Sequence, residues 1–313
     1  MKSIMNKIRL AAFMATVAIL AGGCEKESDN TVDNTPVAAR ITSAIDGMAT
    51  RAAGTAWAAG DAIGVSGVSG EKPYVNVKYV TTDGDGTFTV VNNAGEDNNI
   101  YFQNKDDVTF TAYYPYSGEN GTAPGTSANG ILHKIIIDAD QTPDAQPQID
   151  YLFATCNSTN PNVKFQFHHC MSRLVINFLP GNGITSLSDI KYTIGALVLE
   201  GTFNTGTGET AGTATGDLTL SVPSNTSNIS STLIVFPQQA NSATIIITMK
   251  DMQYSGTIDF PDNPANNNVR EFAPGRSYTY NITVHDTELT IGSANIEDWE
   301  GGGNPIDGGA FLE

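Results

Sequence analysis

No long stretch of this chain carries apolar residues at helical spacing. Short apolar or alternating runs recur instead, each closed by Gly, Asn, Asp or Pro. Neighbours on a strand point to opposite faces, so such runs bury one face each, and many of them separated by turns make an all-β sandwich. Expected strands are 40–45, 62–68, 74–81, 87–91, 100–102, 108–114, 132–138 and 151–155. After a polar break at 157–162 (NSTNPN) come 163–167, 173–178, 190–194, 196–199, 217–222, 231–236, 243–249, 253–258, 277–284 and 288–291. One helical turn is expected near 170–172, where a strand is interrupted. The Asp83-Gly84-Asp85-Gly86 run reads as a hairpin turn, with Gly supplying the positive φ.

The polar break splits the strands into two groups, each long enough for one sandwich. The expected organisation is a leader over 1–23, a flexible linker over 24–37, one β-domain over 38–158 and a second over 159–313. Charged residues are 16% of the chain, the net charge is −17 and the pI is about 4.4. That balance excludes nucleic acid as a partner, because phosphate binding needs clustered Lys and Arg. Three Cys and four His leave little material for a disulfide scaffold or a zinc centre.

Lys2, Lys7 and Arg9 precede an apolar run from Leu10 to Ala21, too short to span a membrane and suited to a secretory signal. It stops at Ala21-Gly22-Gly23-Cys24, which resembles the lipobox of bacterial lipoproteins. The resemblance implies that Cys24 becomes the first mature residue and carries acyl chains such as palmitate, anchoring the protein in the outer membrane. Glu25, Lys26, Glu27 and Asp29 follow, similar to the export signal of surface lipoproteins. The polar stretch 25–37 reads as a tether.

Several blocks then recur in a familiar order. They are Trp57 to Val65 (WAAGDAIGV), Thr109 to Tyr116 (TFTAYYPY), Gln141-Thr142, Asp150-Tyr151-Leu152, Phe165 to Leu174 (FQFHHCMSRL), Phe236-Pro237-Gln238 and Pro274 to Tyr280 (PGRSYTY). Together, behind a lipobox, they resemble the fimbrillin family, fimbrial subunit lipoproteins of Gram-negative Bacteroidota. The resemblance implies two tandem transthyretin-like β-sandwich domains and a structural role in surface fimbriae and cell adhesion. Other fimbrillin subunits are the implied partners. It also implies polymerisation by strand donation: an Arg-specific protease removes the first strand, and a neighbour's strand fills the gap. A cut after Arg40 would leave the strand 40–45 in place. Arg51 lies beyond that strand, in a loop of small residues favoured for proteolysis, so Arg51 and the new terminus Ala52 are the expected processing site. The donor is expected near the C-terminus, although 288–299 can equally close its own domain, with Trp299 in the core. A monomeric surface lipoprotein that binds host or glycan ligands is the alternative.

No catalytic signature is present: the chain lacks G-x-S-x-G, H-E-x-x-H, a P-loop and G-x-G-x-x-G. An enzyme is not expected, nor a cofactor or metal. His168, His169 and Cys170 are adjacent, but strand neighbours point apart and cannot converge on one ion. Cys156 and Cys170 could pair in an oxidising exterior. Asp83 with Asp85, or Asp138 with Asp140, could hold Ca2+ or act as an acid pair, and for the first pair the turn reading is the stronger. Tyr113, Tyr114 and Tyr116 could stack a sugar; the family resemblance implies instead a strand end whose rings pack in the first domain.

Overall fold

The alternation read from the sequence becomes burial in space. From Asn162 to His169 residues alternate exposed and buried without a break. The structure is a computed structural model that describes residues 35–46, 56–125, 130–222 and 229–299. In these residues the chain is all-β, as expected. In chain order the strands are β1 (Val37–Ala38), β2 (Arg40–Ile45), β3 (Ala62–Ser69), β4 (Lys72–Val80), β5 (Thr87–Val90), β6 (Tyr101–Phe102), β7 (Val108–Tyr114), β8 (Ile131–Ile136), β9 (Leu152–Ser158), β10 (Asn162–His169) and β11 (Ser172–Pro180). They continue as β12 (Ile190–Asn204), β13 (Thr210–Val222), β14 (Ile229–Val235), β15 (Gln238–Gln239), β16 (Ser242–Met249), β17 (Met252–Asp259), β18 (Asp262–Asn263), β19 (Val269–Phe272), β20 (Arg276–Val284), β21 (Leu289–Ile291) and β22 (Asn295–Asp298). Single 3-10 turns occur at Gln146–Gln148 and Pro264–Asn266. Residues 170–171 are an irregular link between β10 and β11, not the helical turn expected there.

A ring of strands encloses the first core. β10, β2, β5, β4, β3, β7 and β9 hydrogen-bond in that order and close again on β10. The ring closes because β2 pairs with β10 on one side and β5 on the other. Inside lie Trp57, Phe88, Phe110, Phe165 and Phe167. The second core is shared by two sheets. One runs β14-β11-β20-β21, with β22 also on β20; the other runs β13-β12-β16-β17, with β8 on β12. Phe178, Tyr192, Phe203, Ile247 and Tyr280 fill the space between them.

The division between the cores does not fall at 158/159. The NSTNPN run is the turn that joins β9 to β10: Ser158 Oγ donates to the Asn160 carbonyl, and Asn160 Oδ1 accepts from the Asn162 amide. β10 then completes the ring, so the first core extends through Phe167. Meanwhile β8 pairs with β12, and Leu132, Ile135 and Ile137 join the second core. A polar, Asn-rich run satisfies a tight turn as readily as a linker. The pairing of β8 with β12 and of β10 with β2 is non-local, and a local pattern does not show it.

Candidate functional site

The first described strand carries the geometry that matters most. β1 pairs antiparallel with β6, and the Ala39 amide donates to the Ile100 carbonyl at 2.7 Å. β2 then runs parallel to β10 over six residues, from Arg40 opposite Asn162 to Ile45 opposite Phe167. Its other edge meets β5, with Ile41 opposite Phe88 and Thr42 opposite Thr87, and the Ser43 amide donates to the Gly86 carbonyl at 2.7 Å. The strand is thus hydrogen-bonded on both edges. Its inner face holds Ala39, Ile41 and Ile45, which are 7%, 1% and 4% exposed, while Arg40 and Thr42 face solvent. Burying two isoleucines contributes about 3–6 kcal/mol, a large share of the roughly 5–15 kcal/mol that holds a typical domain together.

The groove that receives β2 is aromatic. Val163, Phe165 and Phe167 of β10 form one wall. Trp57 backs it, meeting Phe88, Tyr114 and Phe167 edge-on with ring centroids 5.1, 5.4 and 5.3 Å away. The Asp83–Gly86 turn closes the second wall. Its hairpin role is as expected: β4 and β5 pair across it, with φ +70 at Gly84 and +84 at Gly86. A Cβ built on Gly86 would overlap the Ser43 carbonyl oxygen. Gly86→Ala is therefore expected to loosen β2, through this overlap and the left-handed φ, which alone costs about 1–3 kcal/mol. Hydrogen exchange of residues 40–45 should rise well ahead of β16; equal protection in both variants would refute this.

Cys24, Arg51 and Ala52 lie outside the described residues. Arg51 follows Asp46 by five positions in sequence, so a cut there releases all of β2. Cys156 and Cys170 are free thiols, and burial, with Asp150 adding to it, pushes the Cys170 thiol up to about 12. His168 is exposed and packs edge-on to Phe153, whereas His169 is buried. The two imidazoles point apart, as strand geometry requires. No cluster of three or more metal-ligating side chains occurs among the described residues. Asp85 Oδ1 accepts from the Thr87 amide and Asp138 Oδ1 from the Asp140 amide, so both act in turns. The Tyr113 hydroxyl donates to Asn76 Oδ1 and that of Tyr114 to Asp61 Oδ1, with both rings buried. Burial, with the Asp61 carboxylate beside it, raises the Tyr114 phenol further.

At the other end of the chain, β21 and β22 both pair with β20. Leu289, Ile291 and Ile296 are only partly buried against the second core. Trp299 is the deep contact, 2% exposed. Its ring stacks on His169 with centroids 4.1 Å apart and planes 6° from parallel, and the Arg173 guanidinium lies over it at 5.4 Å. His169 Nδ1 shares a hydrogen bond with Asp150 Oδ1 at 2.8 Å. Asp150, Arg173, Trp57 and Trp299 border a cleft of about 810 Å³. Both indoles are enclosed by neighbours, so neither offers an open face for a sugar.

The roles of two glutamines, Gln141 and Gln146, are not readable from the sequence. β14 is an edge strand, and Gln141 Oε1 accepts from the Ile234 amide at 2.9 Å while Gln146 Nε2 donates to the Thr232 carbonyl at 2.8 Å. These side chains blunt an edge that would otherwise pair with another chain. The Gln141-Thr142 block was the available signal.

The groove is an apolar, strand-lined cleft filled by β2. The chain matches the family described as Fimbrillin-like over residues 50–299. A relative from Bacteroides uniformis, named "Putative fimbrium subunit Fim1C", is 32% identical over 307 residues, spanning 94% of this chain and 95% of its own. The crystal structure of a "putative cell adhesion protein" from Bacteroides ovatus is similar, with a TM-score of 0.72 and 33% identity over 84% of this chain and 98% of that one. Another, so described and from Bacteroides uniformis, shares the fold at a TM-score of 0.61 and 23% identity, over 85% of this chain and 99% of that one. The chain belongs to the fimbrillin-like family, whose role is structural and non-enzymatic.

Proposed function

We propose that this protein is a structural subunit of surface fimbriae, made as a lipid-tethered precursor and polymerised by exchanging its first strand for one from a neighbouring subunit. The observation that carries the reading is β2 itself. It is bonded along both edges, buries Ile41 and Ile45, and joins β10 to β5 in the ring. Losing it would bare unpaired backbone and an aromatic groove, and an incoming strand would satisfy both together. Family membership and a relative named as a fimbrium subunit support the structural role, and the similar structures' description supports a part in adhesion. In this reading the two cores belong to two tandem domains. Cys24 bears the lipid, Arg51 is the processing site, and the membrane is reached through the acyl chains. Other subunits of the family are the partners.

Mass spectrometry of the protein from outer membranes tests this. An acylated Cys24 terminus on the precursor and an Ala52 terminus on polymerised material is the expected result. SDS-resistant ladders should accompany it. A single monomer band that always keeps residues 40–45 would overturn strand exchange.

A further inference from the structure

The resident strand fits its groove imperfectly at one position. The inward residues are Ala39, just before β2, and Ile41, Ser43 and Ile45, the last three set opposite Val163, Phe165 and Phe167 in register. Three of the four are small or branched apolar residues. Ser43, whose register partner is Phe165, is the exception. Its Oγ is buried and has no hydrogen-bond partner. The neighbouring Thr42 hydroxyl, one residue earlier and on the outer face, reaches the Val163 carbonyl. A buried hydroxyl left without a partner is destabilising, because water once bonded it and nothing replaces that bond.

We infer that the Ser43 position is the selectivity subsite of the groove: it takes an apolar side chain from the strand donated by another subunit, where the resident strand seats an unpartnered hydroxyl. This rests on the strand-exchange reading and adds to it a direction. The resident strand holds the ring closed, yet it is the weaker of two ligands for its own groove. The expected occupant is an extended segment with apolar residues at three successive inward positions, the middle one replacing serine. The same defect at the centre of β2 lets the segment detach before the rest of the barrel opens.

Native-state hydrogen exchange on the full chain tests this. Wild type is compared with Ser43→Ala, Ser43→Val and Ser43→Thr, following residues 37–46. Wild type should exchange in this segment ahead of β7 and β9. Ser43→Ala removes the hydroxyl without adding volume and should slow exchange there about tenfold, with Ser43→Val at least as slow if the pocket admits it. Ser43→Thr keeps the hydroxyl and should gain nothing. Exchange in Ser43→Ala as fast as wild type would overturn the inference. In a second readout, labelled peptides of residues 36–46 with Ser or Val at position 43 are offered to the full chain. The Val peptide should be incorporated at least tenfold more; equal incorporation would also overturn it. Slower exchange in Ser43→Ala with no polymers on cells would leave the subsite intact and remove the strand-donation reading. Polymers with no change in exchange would do the reverse.

Discussion

A chain that begins at Ala52 will not persist as a folded monomer. Without β2 the ring has no closing element between β10 and β5. Six register positions on β10 lose their backbone partners, and Val163, Phe165 and Phe167, now 0–2% exposed, open to water. Loss of Ile41 and Ile45 alone removes about 3–6 kcal/mol, and the newly wetted aromatic wall adds to it. Light scattering should show oligomers, and an environment-sensitive dye should bind. The synthetic peptide 36–46 should return the protein to monomer. A peptide with Ile41→Asp and Ile45→Asp should not, because a charge would enter the core. A monodisperse 52–313 chain with an unchanged melting temperature would mean that β2 closes nothing essential.

The elements that were legible from residues alone are those with clean alternation. β2, β10 and β16 each bury every second residue over much of their length, and each was placed within a residue or two. β12 was not. From its fifteen residues the sequence predicts two strands, 190–194 and 196–199, with Gly195 between them. In space Gly195 and Ala196 form a bulge, with φ +58 at Ala196, and the pairing with β13 resumes beyond it. Gly201 and Gly212 fall outside the expected strands 190–194, 196–199 and 217–222. They lie within this hairpin, where a Cβ on Gly201 would meet the Phe236 ring and one on Gly212 the Val198 side chain. Glycine marks both a turn and a close approach, and local pattern cannot separate the two. The groove shows the same limit. That 40–45 is a strand was visible. That its main partner is a parallel strand some 120 positions later was not, because alternation names the buried face and not the neighbour.

The stack of Trp299 on His169 belongs to that second kind of information, and it sets the other large expected effect. Trp299→Ala should cost about 3–5 kcal/mol, the range for deleting a large buried aromatic side chain. The ring is the only fully enclosed side chain among the described residues of the C-terminal segment; Leu289, Ile291 and Ile296 are half-wet. The backbone beyond β22 is held through Trp299, whose amide donates to the Gly275 carbonyl, while the Gly275 amide donates to Met171. Arg276 and Asp298 pair beside it, part-exposed and so worth little alone. Trp299→Phe should be far milder. It keeps a ring against His169, and the indole N–H it removes has no partner to lose. Thermal unfolding with limited proteolysis of residues 289–299 separates the outcomes. In Trp299→Ala the last two strands should be cut first while the ring around β2 stays resistant. If they are protected as in wild type, β20 holds them unaided and the stack is incidental. If both regions fail together, the ring sits in a shared core whose loss is global. Selective fraying would instead show that one side chain decides whether the C-terminal strands stay on β20.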